Sequence, residues 1–233
     1  MTSNQCIRWV LKPAVFVVAL APAGWLVWAG LTGNLSADPL SDITHETGIW
    51  ALRFLCITLA LTPLRRLSGW NAAIRFRRMT GLFAFFYGAL HFLIYVIADR
   101  FASLVEFPQG IVSLDTAHRL LSSIWEDIYK RPYITIGFTA LMLMAPLAVT
   151  STAGWIRRLG GKRWQALHRL VYASAVLGVV HYWWLVKADI RHPETYAAVV
   201  AVLLGFRVWW ARRGRRSQMK HPAAAPVRAT AQS

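Results

Sequence analysis

Three histidines raise the first chemical question. His91, His168 and His181 fall within long apolar stretches of a 233-residue chain. An ionisable group in such a setting is costly and reads by default as functional. A neutral imidazole presents one nitrogen lone pair, a common donor to transition metals and to haem iron. Two of them facing each other at one depth could hold a haem from both sides, or could be two hydrogen-bonded interior histidines. No Asp or Glu lies in the middle of any apolar stretch. Cation-coupled transport usually relies on such carboxylates, so the pairing of histidines favours haem over a transport path.

The elements that position them are membrane-crossing helices, each needing about 20 mostly apolar residues. Six stretches qualify: 13–31, 47–64, 79–98, 133–150, 165–186 and 195–211. They predict an all-α integral membrane bundle over residues 1–211, followed by a basic, disordered tail over 212–233. The first stretch is too long for the apolar region of a secretory signal and reads as a span. Cys6 and Cys56 make no disulfide framework, and no internal repeat is visible. At 56% hydrophobic and 15% charged residues, the chain is neither a soluble domain nor a disordered one.

The net charge of +16 could suggest nucleic acid, and its distribution excludes that reading. Eighteen Lys and Arg fall at the N-terminus, in the second-to-third and fourth-to-fifth connections, and in the C-terminal segment, with no acid among them. The opposite connections carry six basic residues and all ten acids. By the positive-inside rule both termini are cytoplasmic. The charge is an orientation signal, and the cytoplasmic loops also suit contact with anionic lipid.

Orientation allows depths to be compared. His91 lies about seven residues before the outer end of the third span and His181 about five before that of the fifth. At about 1.5 Å per residue they differ by about 3 Å. Arg53, about six residues from the outer end of the second span, shares that layer. A buried Arg needs an anion, and a haem propionate would supply one; the other reading is snorkelling to the headgroups. His168 precedes His181 by 13 residues, a rise of about 20 Å, so a second iron at that depth would form a ladder. Yet 13 residues turn the side chains about 140° apart, and no histidine partners His168. At its depth the third span begins with Arg77 and Arg78, which could hold propionates or a flavin phosphate. His45, His118, His192 and His221 lie in connections or the tail and read as solvated. The tryptophans cluster near span ends as an interfacial belt. No nucleotide-binding fingerprint or other short catalytic motif occurs, and the cytoplasmic loops are too short for a nucleotide domain.

Several blocks carry a family resemblance: ADPLSDITHETG, RRMTGLFAFFYGALHFLIY, KRPYITIGF and GKRWQALHRLVYASAVLGVVHYWWLVK. Across about residues 35–190 the chain resembles the MsrQ (YedZ) family, within the ferric-reductase-like transmembrane group that includes the NADPH oxidases. The resemblance implies one or two b-type haems, a bound FMN, and a place in the bacterial inner membrane. It implies electrons arriving from the quinol pool or a cytoplasmic flavin reductase. They would leave for MsrP, a periplasmic molybdenum-cofactor enzyme that reduces methionine sulfoxide in oxidised proteins. No methionine-sulfoxide site is then expected on this chain. The family histidines map onto His91, His168 and His181, and the outer segment 99–131 would dock the partner. A stand-alone ferric-chelate reductase, and a histidine-containing transporter or assembly factor without redox cofactor, are the alternatives.

Overall fold

The computed structural model describes residues 3–97, 114–186 and 191–220, and every regular element among them is helical. In chain order these are α1 Asn4–Thr32, α2 Pro39–Ser68, α3 Arg77–Ile97, α4 Leu114–Lys130, α5 Pro132–Val149, α6 Ala153–Leu167, α7 Leu170–Leu185 and α8 Arg191–Lys220.

Local chemistry sets the ends. The Asp38 carboxylate accepts from the Ser41 amide at 3.1 Å, and Pro39 opens the first turn of α2. A cap of this kind is worth about 1 kcal/mol. α1 and α2 stop at Gly33 and Gly69, both at φ 70°, a left-handed conformation that a Cβ would oppose. Prolines inside helices leave carbonyls without donors, and neighbouring helices supply them. Pro63 has no amide for the Leu59 carbonyl, and Arg207 of α8 donates to that oxygen at 2.8 Å. The same guanidinium donates to the Tyr172 hydroxyl at 2.7 Å, so one side chain ties α8 to α2 and α7. In α1, next to Pro22, the fully buried Tyr87 hydroxyl donates to the Ala19 carbonyl at 2.7 Å and accepts from the Ala23 amide at 3.2 Å. In hydrocarbon each orphaned backbone group would cost several kcal/mol.

α2 packs most closely on α3, and α5 on α7; the two pairs meet through α3 with α5 and α2 with α7. Thr58 donates to Thr80 at 2.9 Å within the first pair, and Ser174 to the Ala140 carbonyl at 2.8 Å within the second. Leu52, Leu55, Leu59, Phe83, Tyr87 and Ala175 form the shared core. The outer surface is as apolar as the core, with Val18, Trp28, Val202 and Trp209 at least half exposed. That distribution is destructive in water and natural in lipid.

Three expectations change. Six full spans were expected; among the described residues five helices are long and apolar enough to cross, and α7 has only 16 residues. Its length of about 24 Å falls short of a hydrocarbon core of about 30 Å. The cause is a turn at His168–Arg169, so residues 165–167 belong to α6. The outer connection is also not all loop: 114–130 forms the amphipathic helix α4, whose Asp127 is buried. The expected tail begins as helix, since α8 continues through Arg212 to Lys220; residues 221–233, with His221, lie outside the described residues. So does the 99–113 part of the expected docking segment.

Candidate haem cavity

A cavity of about 620 Å³ opens between α2, α3, α5 and α7. Cofactor-sized pockets run from about 300 to 1,000 Å³. Its mouth lies where α2 and α5 begin and α3 and α7 end, with Asp38, Tyr95, Arg131 and Val186 among its lining. Its depth is apolar, reaching Leu55, Leu141 and Met144.

His91 and His181 face each other across this cavity. Their ring centres are 6.1 Å apart and their planes 79° to one another. Each imidazole is fixed by a backbone carbonyl: His91 Nδ1 lies 2.8 Å from the Thr44 oxygen, and His181 Nδ1 lies 2.7 Å from the Tyr133 oxygen. A carbonyl can only accept, so both Nδ1 atoms carry the proton and both Nε2 atoms keep the lone pair. This is the outer-shell arrangement that sets tautomer and ring orientation in metal-ligating histidines.

The two docking sites repeat one local design. Gly48 lies four residues after Thr44, and Gly137 four after Tyr133. A Cβ on Gly48 would come within 3.1 Å of His91 Nδ1, and one on Gly137 within 2.7 Å of His181 Nδ1 and Cε1. Each ring thus rests on a helix over a glycine and reaches the carbonyl one turn earlier. The nearest ring atoms are Nδ1, Cε1 and Cγ in both cases, so the Nε2 edge is turned away from that helix.

This donor set fits haem. With ring centres 6.1 Å apart and each Nε2 edge turned away from the helix its ring rests on, the pair would leave room for one metal atom between the two rings. Among the described residues no group of three or more His, Cys, Asp and Glu could hold a bare metal ion. Two imidazoles suffice only where a macrocycle supplies the remaining donors.

The other sequence candidates sit elsewhere. Arg53 shares the layer but not the face: it is absent from the cavity lining, its Nε donates to the Tyr196 hydroxyl at 3.1 Å, and its guanidinium lies 4.6 Å from the centre of the Trp50 ring. Its partners there are a hydroxyl and an indole ring, and neither is an anion. His168 closes α6 beside the bundle. Its Nε2 is 3.2 Å from Thr150 Oγ1 and its ring stacks on Trp164 at 3.9 Å, while the Trp164 indole donates to the Thr150 carbonyl at 2.9 Å. Burial, and then the charge of Arg77, hold the His168 pKa below its ordinary value. The chain turns at His168–Arg169, so His168 and His181 do not lie on one continuous helix. His168→Ala is expected to keep the full haem complement and lower thermal stability by about 1–3 kcal/mol; loss of half the bound haem, measured by pyridine haemochrome, would count against this. Arg77 is half-buried at the start of α3 and Arg78 is exposed there, outside the cavity lining. His45 is exposed, as expected, and it also lines the cavity and packs against Tyr182. His118 and His192 are exposed as expected. Gly48, Gly137, Thr44 and Tyr133 were not singled out by spacing, although THETG and YITIG both place a glycine four residues after the accepting carbonyl.

The family model "Ferric reductase like transmembrane component" matches residues 47–179. A protein of Ralstonia nicotianae is 52% identical over 220 residues, covering 94% of both chains; it is named "Protein-methionine-sulfoxide reductase heme-binding subunit MsrQ". Proteins of the same name from Herminiimonas arsenicoxydans and Xanthomonas euvesicatoria are 49% and 47% identical, covering 88% and 93% of this chain and 88% and 94% of theirs. No solved structure matches. With four apolar helices closed around a pair of carbonyl-anchored histidines, and with that similarity along nearly its whole length, the chain belongs to the MsrQ family of haem-binding subunits, multi-pass membrane proteins of the ferric-reductase-like group.

Proposed function

We propose that this chain is a transmembrane electron carrier. It takes electrons from the quinol pool or a cytoplasmic flavin reductase across the inner membrane to a periplasmic molybdenum-dependent methionine-sulfoxide reductase of the MsrP kind. The observation that supports this best is the His91–His181 pair, 6.1 Å apart with both Nδ1 atoms tied to backbone carbonyls. Haem bound there supplies a one-electron iron couple. His91 and His181 hold it, the Thr44 and Tyr133 carbonyls keep the rings in one tautomer, and Leu52, Leu55 and Met144 exclude water from the deep end. With the termini cytoplasmic, the cavity mouth faces the periplasm, where the partner would dock. FMN, implied by the family resemblance, would sit at the opposite end, with its phosphate on the Arg77/Arg78 side.

The test is optical and kinetic. The detergent-purified chain should show a Soret band and, with dithionite, b-type α-bands; without them the carrier reading fails. The reduced protein should be reoxidised by purified MsrP carrying its molybdenum cofactor. The family match to ferric reductases supports a second reading, direct reduction of ferric chelates. Reoxidation by ferric chelates alone, with MsrP inert, selects that one.

A further inference from the structure

We infer that Arg131 is the cation that holds the carboxylates of the bound haem, and that those carboxylates lie at the cavity mouth. This rests on the haem reading above and adds an orientation and a residue to it. Haem is amphipathic: one edge carries two carboxylates and the rest is apolar. The cavity has the same polarity. Leu52, Leu55, Leu141 and Met144 line its depth, and Ser41, His45, Tyr95 and Arg131 its mouth. Burying a carboxylate at the deep end would leave it without a partner, a large penalty.

Among the described residues, Arg131 is the only Lys or Arg that lines the cavity. Its placement is built. The Asp127 carboxylate, whose side chain is 9% exposed, engages Arg131 Nε at 3.2 Å, and the Tyr95 hydroxyl donates to the other carboxylate oxygen of Asp127. Asp127 thus grips the guanidinium by its inner nitrogen and leaves the two terminal ones. Of these, Nη1 has only a 3.4 Å contact with the Tyr133 hydroxyl, a weak hydrogen bond at that length. The outer fork matches a carboxylate in two-point geometry. α5 begins at the next residue, so its positive dipole end adds to the preference for an anion. Asp38, the acid at the mouth, is turned to the Ser41 amide at 3.1 Å. Arg53 is engaged by Tyr196 and Trp50 on the far face of α2.

The experiment compares the full-length wild type with R131Q, R131K and R53Q in detergent. Two quantities are measured: the haem midpoint potential, and the rate of haem transfer to excess apomyoglobin. Loss of the cation disfavours the added electron, so R131Q should lower the potential by about 59 mV, a tenfold fall in the reduction constant of a one-electron couple. It should also release haem about tenfold faster. R131K should fall between R131Q and wild type, and R53Q should match wild type. R131Q with wild-type potential and release rate overturns the inference. A second readout needs no substitution: wild type loaded with haem dimethyl ester, which lacks free carboxylates, should release it about tenfold faster than haem. Equal release of the two also overturns the inference. Failure of the underlying reading looks different, as a wild-type chain without a Soret band.

Discussion

His91→Ala and His181→Ala are each expected to abolish the Soret band of the purified chain or to reduce its haem content at least tenfold. The effect is large because each imidazole supplies one of the two ring nitrogens brought together across the cavity. Perturbing a partner behind a metal ligand already costs about 10- to 100-fold in affinity, and removing the ligand costs more. His118→Ala, an exposed position on α4, should leave content and spectrum unchanged and serves as the control. The measurement is pyridine haemochrome per polypeptide, with the Soret maximum as a check on coordination. If both cavity variants retain full haem with wild-type spectra, the paired-ligand assignment is wrong. Conservative replacement separates donor chemistry from packing. His181→Gln fills similar space, yet should lose haem as His181→Ala does.

Depth was legible in the sequence; azimuth was used too little. Counting residues from span ends placed His91 and His181 within about 3 Å of one level, and the structure brings their ring centres to 6.1 Å. The same count placed Arg53 in that layer, but a layer has two sides. On α2 the cavity is lined by Thr44, Gly48, Leu52 and Leu55. Arg53 follows Gly48 by five residues, a rotation of about 140°, which carries it to the other face. That rotation could have been computed once a lining residue was known, and Gly48 was the residue to start from. His168 was less legible. The turn after it contains neither Pro nor Gly, and the sequence LHRLVY reads as continuous helix. What ends α6 there is tertiary: Trp164 reaches back to the Thr150 carbonyl and His168 to the Thr150 hydroxyl. Arg131 was counted as a charge of the outer connection, and only folding shows Asp127 presenting it to the cavity.

Gly137→Ala is expected to weaken haem binding roughly as much as removal of a ligand, although it adds only one methyl group. The added Cβ would lie 2.7 Å from Nδ1 and Cε1 of His181, closer than real Cβ atoms approach anything. The ring has little room to retreat, because its Nδ1 is held by the Tyr133 carbonyl on the same helix at 2.7 Å. Either α5 moves off α7 or the imidazole swings away and gives up that hydrogen bond. Overpacking of this kind costs about 1–3 kcal/mol, and at about 1.4 kcal/mol per tenfold the loss of affinity is roughly 5- to 150-fold. Gly48→Ala has the same geometry with more room, 3.1 Å from His91 Nδ1, so its effect should be smaller and in the same direction. Gly24→Ala and Gly205→Ala have nothing within 4 Å of the new Cβ. As helix-interior positions they should be neutral, or more stable by up to about 1 kcal/mol. The ordering of haem content, with Gly137→Ala lowest, Gly48→Ala between, and the two lipid-side variants equal to wild type, tests whether these glycines exist to seat the imidazoles. Wild-type haem content in Gly137→Ala would show that the ring is free to move, and the tie from His181 to the Tyr133 carbonyl would then not be what orients the ligand.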